Sequence, residues 1–288
     1  MRDFFGSLLK VGWLLFALGT AGAECALSDF REGASQTMDM GVISARDRGA
    51  EYQFGQSNLS IKANALVASY PKGSVYPAFA RSGQAPIGGA QFRVPFTAMR
   101  QSINDSVGVQ YRVTLADNFQ FVLGGKLPGL YGGTANTGGK IPNGSDGFSL
   151  RFAWQKDGVG ALYAYLPTSV RWGTIFGGDR WRLVPGQTIE LAMYVEMNTP
   201  GHNDGVIAAW ADNRLVVLAT DIVFRSVSTL KPDGYFFSSF FGGSTEEWAS
   251  PVDTLASFSD LRIFRVDLPA LKNCAAKLDK LGQRRELG

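Results

Sequence analysis

The sequence predicts an all-β fold, an antiparallel β-jelly roll built as a sandwich of two sheets and closed by a short C-terminal helical tail. Three observations lead there. From Asn58 to Phe264 the chain is a succession of short alternating or wholly apolar runs, separated by Gly, Pro, Asn and Asp. Glycine is abundant, at 35 of 288 residues, and aromatic residues reach 12%, as many tight turns and a thick sandwich core require. Hydrophobic residues make up 45% and charged residues only 18%, which excludes a disordered or coiled-coil chain. The length suits one large β domain, expected over residues 24–288, and no repeat or interdomain linker interrupts it.

The first 23 residues read as a signal peptide. Arg2 and Lys10 precede the apolar run Val11–Gly19, and Ala21-Gly22-Ala23 offers a small-residue cleavage site. That run is too short to span a bilayer. Glu24 stands before Cys25, where a lipoprotein needs a small residue. A secreted or periplasmic location is therefore expected, with no stable membrane association after cleavage. Export puts Cys25 and Cys274 in an oxidising compartment and predicts a disulfide between them. In the chain-entropy model so long a closed loop is worth roughly 4–5 kcal/mol.

The expected strands include Val107–Leu115, Phe119–Leu123, Phe148–Trp154, Leu162–Leu166, Ile189–Glu196, Val206–Trp210, Arg214–Leu218 and Tyr235–Phe241. Asp212-Asn213 marks a hairpin turn. Residues 268–287 are rich in Lys and Arg with apolar residues at helical spacing, which predicts a short terminal helix fixed by Cys274.

Composition narrows the chemistry. The formal net charge is +3, falling to +2 once residues 1–23 are removed, and no basic cluster with interleaved aromatics points to nucleic acid. One histidine, His202, and two cysteines exclude a four-ligand Cys/His zinc site, and no Asp-rich loop argues for calcium. His202 lies in a turn-like segment. No metal or cofactor is expected, and a monomer is.

Alternation divides each strand into a core face and a polar face. Val107, Val109, Tyr111, Val113 and Leu115 oppose Gln110, Arg112 and Thr114. Phe148, Leu150, Phe152 and Trp154 oppose Ser149, Arg151 and Ala153. Leu162, Ala164 and Leu166 oppose Tyr163 and Tyr165. A regular strand through residues 120–126 would put Gln120, Val122, Gly124 and Lys126 on one face. For Arg151 to share a face with both tyrosines, the loop around Asp157-Gly158 must hold an odd number of residues. A loop over Asp157–Val159 would pair Arg151 with Tyr165.

The segments GGKLPGLYGG (Gly124–Gly133), NGSDGFSLRFAW (Asn143–Trp154) and LYAYLP (Leu162–Pro167) together resemble polysaccharide lyase family 14, the alginate and glucuronate lyases with a β-jelly-roll, concanavalin-like fold. SYPKGS (Ser69–Ser74), GGAQF (Gly88–Phe92), Pro185-Gly186, Asn198-Thr199, FFGG (Phe240–Gly243) and Asp253-Thr254 extend the resemblance over residues 60 to 265 or so. The segment before residue 58 carries no such pattern, and Thr134–Lys140 departs in local wording. The resemblance implies β-elimination on a uronic-acid polymer, with Lys126, Ser149, Arg151, Tyr163 and Tyr165 at the catalytic positions.

Those residue types suit the reaction. The proton on C5 of a uronate is weakly acidic while the C6 carboxylate stays charged, so a cation against that carboxylate must hold the charge that builds in an enolate-like transition state. Arg151 fits, since a guanidinium binds a carboxylate bidentately. Tyr163 or Tyr165 can act as base or as acid to the leaving O4, Lys126 is an alternative base, and Ser149 is expected to orient the lysine or the substrate. Gln91, Lys72 and Arg112 are candidate substrate-binding residues. Two other classes compete: a non-catalytic carbohydrate-binding jelly roll for acidic polysaccharide, and a glycoside hydrolase. The latter needs a pair of carboxylates across the scissile bond, and no specific pair is evident.

Overall fold

The computed structural model describes residues 25–32, 37–45, 49–75, 83, 85–243 and 245–280; the expected signal peptide and the last residues of the tail lie outside them. Two antiparallel sheets pack face to face. Among the described residues the first sheet orders β14 (Arg214–Ile222), β13 (Gly205–Ala211), β12 (Thr188–Glu196), β7 (Ser106–Leu115), β16 (Thr254–Val266), β5 (Ala65–Tyr70) and β4 (Leu59–Lys62). The short strands β1 (Arg31–Glu32) and β2 (Thr37–Met38) also pair with β16. The second sheet orders β11 (Thr174–Phe176), β10 (Gly160–Tyr165), β9 (Gly147–Gln155), β8 (Gly124–Gly133), β15 (Gly234–Phe241), β6 (Ala90–Pro95) and β3 (Glu51–Phe54). A one-turn helix, α1 (Met40–Ile43), precedes β3, and α2 (Leu268–Lys280) follows β16.

The core is the alternation made physical. Val107, Val109, Tyr111 and Val113 of β7 are fully buried against Phe148, Leu150, Phe152 and Trp154 of β9. The Tyr111 ring centroid lies 6.2 Å from Phe152 and 6.1 Å from Phe258, so both sheets meet on one aromatic layer. Each such side chain contributes about 1.5–3 kcal/mol by leaving water. The expected hairpin forms at Asp212-Asn213, whose φ values of 47° and 67° are those of a tight two-residue turn between β13 and β14.

Two expectations need correcting. Phe119–Leu123 is not a strand: the chain turns there, Val122 takes φ 52°, and β8 begins only at Gly124. Packing overrides the apolar pattern, because Phe119 sits in the core against Tyr70, Trp154 and Phe241, and the Phe121 carbonyl accepts a hydrogen bond from Trp154 Nε1. The second correction concerns register. The β9–β10 loop is Lys156–Gly158, with Asp157 and Gly158 at positive φ, one residue earlier than the odd loop expected. Arg151 therefore pairs with Tyr163, and Ser149 with Tyr165. The odd residue count keeps all four on one face, since cross-strand partners share a side of the sheet.

The outer face of the first sheet is partly covered by the two ends of the described chain. Asp267 caps α2 by accepting from the Ala270 amide, and Leu271 packs fully buried among Cys25, Tyr194, Trp210 and Phe264. Trp210 Nε1 donates to the Cys25 carbonyl. The expected Cys25–Cys274 disulfide is present, with Cα atoms 5.9 Å apart. No helix of the described residues is long and apolar enough to cross a membrane.

Candidate active site

The second sheet turns its other face outward, and there the polar residues of five adjacent strands converge. One row runs across the strands through Arg93 (β6), Phe236 (β15), Gly129 (β8), Arg151 (β9), Tyr163 (β10) and Ile175 (β11). On one side of it lie Gln91, Ser238, Lys126 and Ala153. On the other lie Tyr131, Ser149 and Tyr165.

Lys126 and Gly129 are three residues apart, so a regular strand would point them to opposite faces. A bulge in β8 between them corrects this, because Lys126 pairs with Ala153 while Gly129 pairs with Arg151. Pro128 sits inside the bulge, where its missing amide costs no ladder bond. Its carbonyl accepts from the Tyr111 hydroxyl across the core at 3.0 Å. Leu127 points inward, fully buried. The bulge is thus built in and satisfied from behind.

Arg151 is 2% exposed, and among the described residues its side chain makes one hydrogen bond, from Nη1 to Ser238 Oγ at 3.1 Å. Its Nε is buried with no partner among those residues. Among the described residues no carboxylate lies within ion-pair distance of it, although five ion pairs form elsewhere, one of them at the equally buried Arg225. Ser238 Oγ in turn donates to Gln91 Oε1 at 2.9 Å, which fixes the direction of the chain Gln91–Ser238–Arg151. The guanidinium carbon lies 5.7 Å from the Tyr163 ring centroid and 5.5 Å from that of Phe236, so aromatic walls hold it on both sides. Burial lowers its pKa to about 10, which leaves it charged at neutral pH.

Lys126 Nζ stands 4.4 Å from the Tyr163 ring centroid. The residue is half-buried on the outward face. Desolvation first, and the nearby Arg151 charge second, bring its pKa down to about 7. Tyr163 moves the other way, to about 12, because burial and the neighbouring Tyr165 disfavour its phenolate. The two tyrosine rings meet edge to face, with centroids 5.6 Å apart. Each hydroxyl oxygen accepts a backbone amide: Gly173 N–H at Tyr163, 3.0 Å, and Gly139 N–H at Tyr165, 2.8 Å. The two hydroxyls also share a side-chain hydrogen bond, which helps keep Tyr163 protonated.

The remaining candidates are distributed unevenly. Ser149 is fully buried, and its hydroxyl donates to the Asn136 carbonyl at 2.6 Å, so it anchors the 134–146 loop and does not orient Lys126. Gln91 joins the cluster through Ser238. Lys72 stands exposed in the turn after β5, its amide tied to Asp253 rather than to the cluster. Arg112 lies on the outer face of the first sheet, across the sandwich from the cluster, where Glu190 and Asp260 lie 3.6 and 3.7 Å away. Its alternation was read correctly, but it belongs to the other sheet. Ser238 went unnoticed in the sequence, although a serine in phase with Phe236 within an aromatic strand was a usable signal.

Comparison with known proteins follows the same residues. The family model of Polysaccharide lyase 14 matches residues 59–261, a span that includes every residue of the cluster. The marine PL-14 alginate lyase from Aplysia kurodai is similar in structure, with 29% identity and a TM-score of 0.66 over 80% of this chain and 96% of that one. The alginate lyase Aly36B superposes with a TM-score of 0.65 at 22% identity, over 81% of this chain and 93% of its own. Alginate lyase vAL-1 from Chlorella virus gives 0.65 at 20% identity, over 80% and 98%. At those lower identities the likeness is one of fold. No curated protein matches the sequence. With more than half its length matched by the family model, the chain belongs to polysaccharide lyase family 14.

Proposed function

We propose that this enzyme cleaves a uronic-acid polymer of the alginate or glucuronan type by β-elimination, leaving a 4,5-unsaturated uronate at the new non-reducing end. The observation that carries the reading is Arg151: a buried guanidinium whose Nε has no partner, and which has no carboxylate beside it, among the described residues. A buried charge without a counter-ion is costly, and an anionic ligand that supplies one recovers that cost. A sugar carboxylate matches it in charge and in bidentate geometry. The similar protein from Aplysia kurodai is an alginate lyase, which agrees with such a substrate.

The roles follow from the protonation states. Arg151 neutralises the C6 carboxylate and so makes the C5 proton removable. Lys126, with a pKa of about 7, offers a free amine at neutral pH and takes that proton. The electron pair forms the C4–C5 double bond as the C4–O4 bond breaks. Tyr163, held protonated by a pKa of about 12, gives its proton to the departing O4, and the Gly173 amide stabilises the phenolate left behind. Tyr165 buttresses Tyr163 and secures the Gly139 loop. The Cys25–Cys274 disulfide supports work outside the cytoplasm, in keeping with the signal peptide expected over residues 1–23.

The test is ultraviolet absorbance of the unsaturated product from a panel of polyuronates, with Lys126→Ala beside the wild type. A rise that the substitution abolishes supports the reading. Polymer binding without any absorbance change, in both proteins, would replace it with a carbohydrate-binding module.

A further inference from the structure

The row through Arg151 and Tyr163 ends at an edge that the chemistry above does not use. Ile175, the cross-strand partner of Tyr163, is 52% exposed on β11. Beside it the 166–173 loop raises Trp172, 50% exposed, and Arg171, also exposed. A single exposed apolar side chain is ordinary, but Val170, 95% exposed, Trp172 and Ile175 lie within six residues of one another at this edge, and such a grouping marks a surface that binds something.

Its position ties it to the reacting groups. Trp172 directly precedes Gly173, whose amide donates to Tyr163. Its ring also lies against Gly139, where a Cβ would come within 2.9 Å of it, and the Gly139 amide donates to Tyr165. Trp172 therefore bridges the two loops that flank the paired tyrosines, while half of its surface stays in water. The Arg171 guanidinium lies 5.8 Å from the centre of that ring.

We infer that Trp172 and Arg171 form a binding subsite for a uronate unit next to the one being cleaved, the indole packing on the apolar C–H face of the sugar and the guanidinium taking its carboxylate. A uronate presents that pair of features together, whereas a neutral sugar lacks the second and a small carboxylate lacks the first. The strand spacing agrees: β11 lies two strands from β9, roughly 10 Å from the Arg151 backbone, so a polymer crossing the strands from Arg151 over Tyr163 runs out over Ile175 and Trp172. The subsite rests on the proposed uronate substrate, but not on the assignment of base and acid.

Chain length decides it. Trp172→Ala is expected to lower kcat/KM about tenfold on long polyuronates and to leave the shortest cleavable oligomer nearly unchanged, with Trp172→Phe restoring most of the loss. Arg171→Met should reduce the salt sensitivity of binding on the long substrate. If Trp172 only braces the tyrosine loops, Trp172→Ala will instead lower kcat by the same factor at every length, and the subsite is wrong. No effect at any length is equally fatal to it. Calorimetry of saturated oligouronates with Lys126→Ala, with and without Trp172→Ala, separates this inference from the proposed reaction. Length-dependent weakening in a protein whose wild type shows no turnover keeps the subsite and overturns the lyase chemistry. Normal wild-type turnover with length-independent binding does the reverse.

Discussion

Arg151 and Tyr163 are direct cross-strand partners on the outward face of the second sheet, and Lys126 lies over the same tyrosine ring from the next strand. A guanidinium and an amine thus converge on one phenol, with no carboxylate of the described residues between them. That arrangement is poor for stability and suited to an anion.

The pH profile should show its acidic limb at Lys126. The pKa is lowered to about 7, so the amine is free above that value and protonated below it. kcat/KM is expected to rise through about pH 7 and then level off. A bound carboxylate favours the ammonium form, so the limb in kcat should lie at higher pH than the limb in kcat/KM. Steady-state rates across pH check both, and a limb that survives Lys126→Ala would assign it to another group.

Lys126→Met should abolish turnover and raise the thermal midpoint. The folded chain holds this lysine at a depressed pKa, so below about pH 7 it carries an unfavourable charge and above that it has given up a proton the unfolded chain retains. The same linkage makes wild-type stability increase with pH from about 7 towards the ordinary lysine value, an increase that Lys126→Met should remove. Differential scanning calorimetry at several pH values measures it.

Arg151→Lys should not rescue function. The fork of the guanidinium serves Ser238 and a bidentate carboxylate together, which a point ammonium cannot do. A loss of roughly 100-fold or more in kcat/KM is expected, expressed in kcat as well as KM, because the interaction strengthens in the transition state.

Ser238→Ala tests a residue that acts through Arg151. Losing the bridge between Gln91 and the guanidinium should cost about tenfold in kcat/KM, and adding Gln91→Ala should cost little more, since both serve one chain. Full additivity of the two substitutions would show that they work separately.

Much of this architecture was legible from alternation. The core face of Val107–Leu115, the shared face of Ser149, Arg151, Tyr163 and Tyr165 and the Asp212-Asn213 turn all rest on local patterns that the structure keeps, and the Cys25–Cys274 disulfide follows from export with two cysteines. What failed was long-range. Arg112 has the right alternation, but periodicity does not reveal which of two sheets a strand joins. Phe119–Leu123 looks like a strand because its aromatic residues are apolar, yet they fill a corner of the core from a turn. The β8 bulge leaves no mark in a two-residue period except Pro128 itself, and Ser238 acquires its role only once β15 is set beside β6 and β8.

The disulfide and helix α2 draw Cys25 and the region around residue 274 onto the back of the first sheet, with the whole thickness of the sandwich between them and the Arg151 row. Tethering the enzyme to a bead or a cell surface through this back face would therefore leave the Arg151 face pointing outward. A polymer many times longer than the enzyme could then thread past the catalytic face without meeting the support.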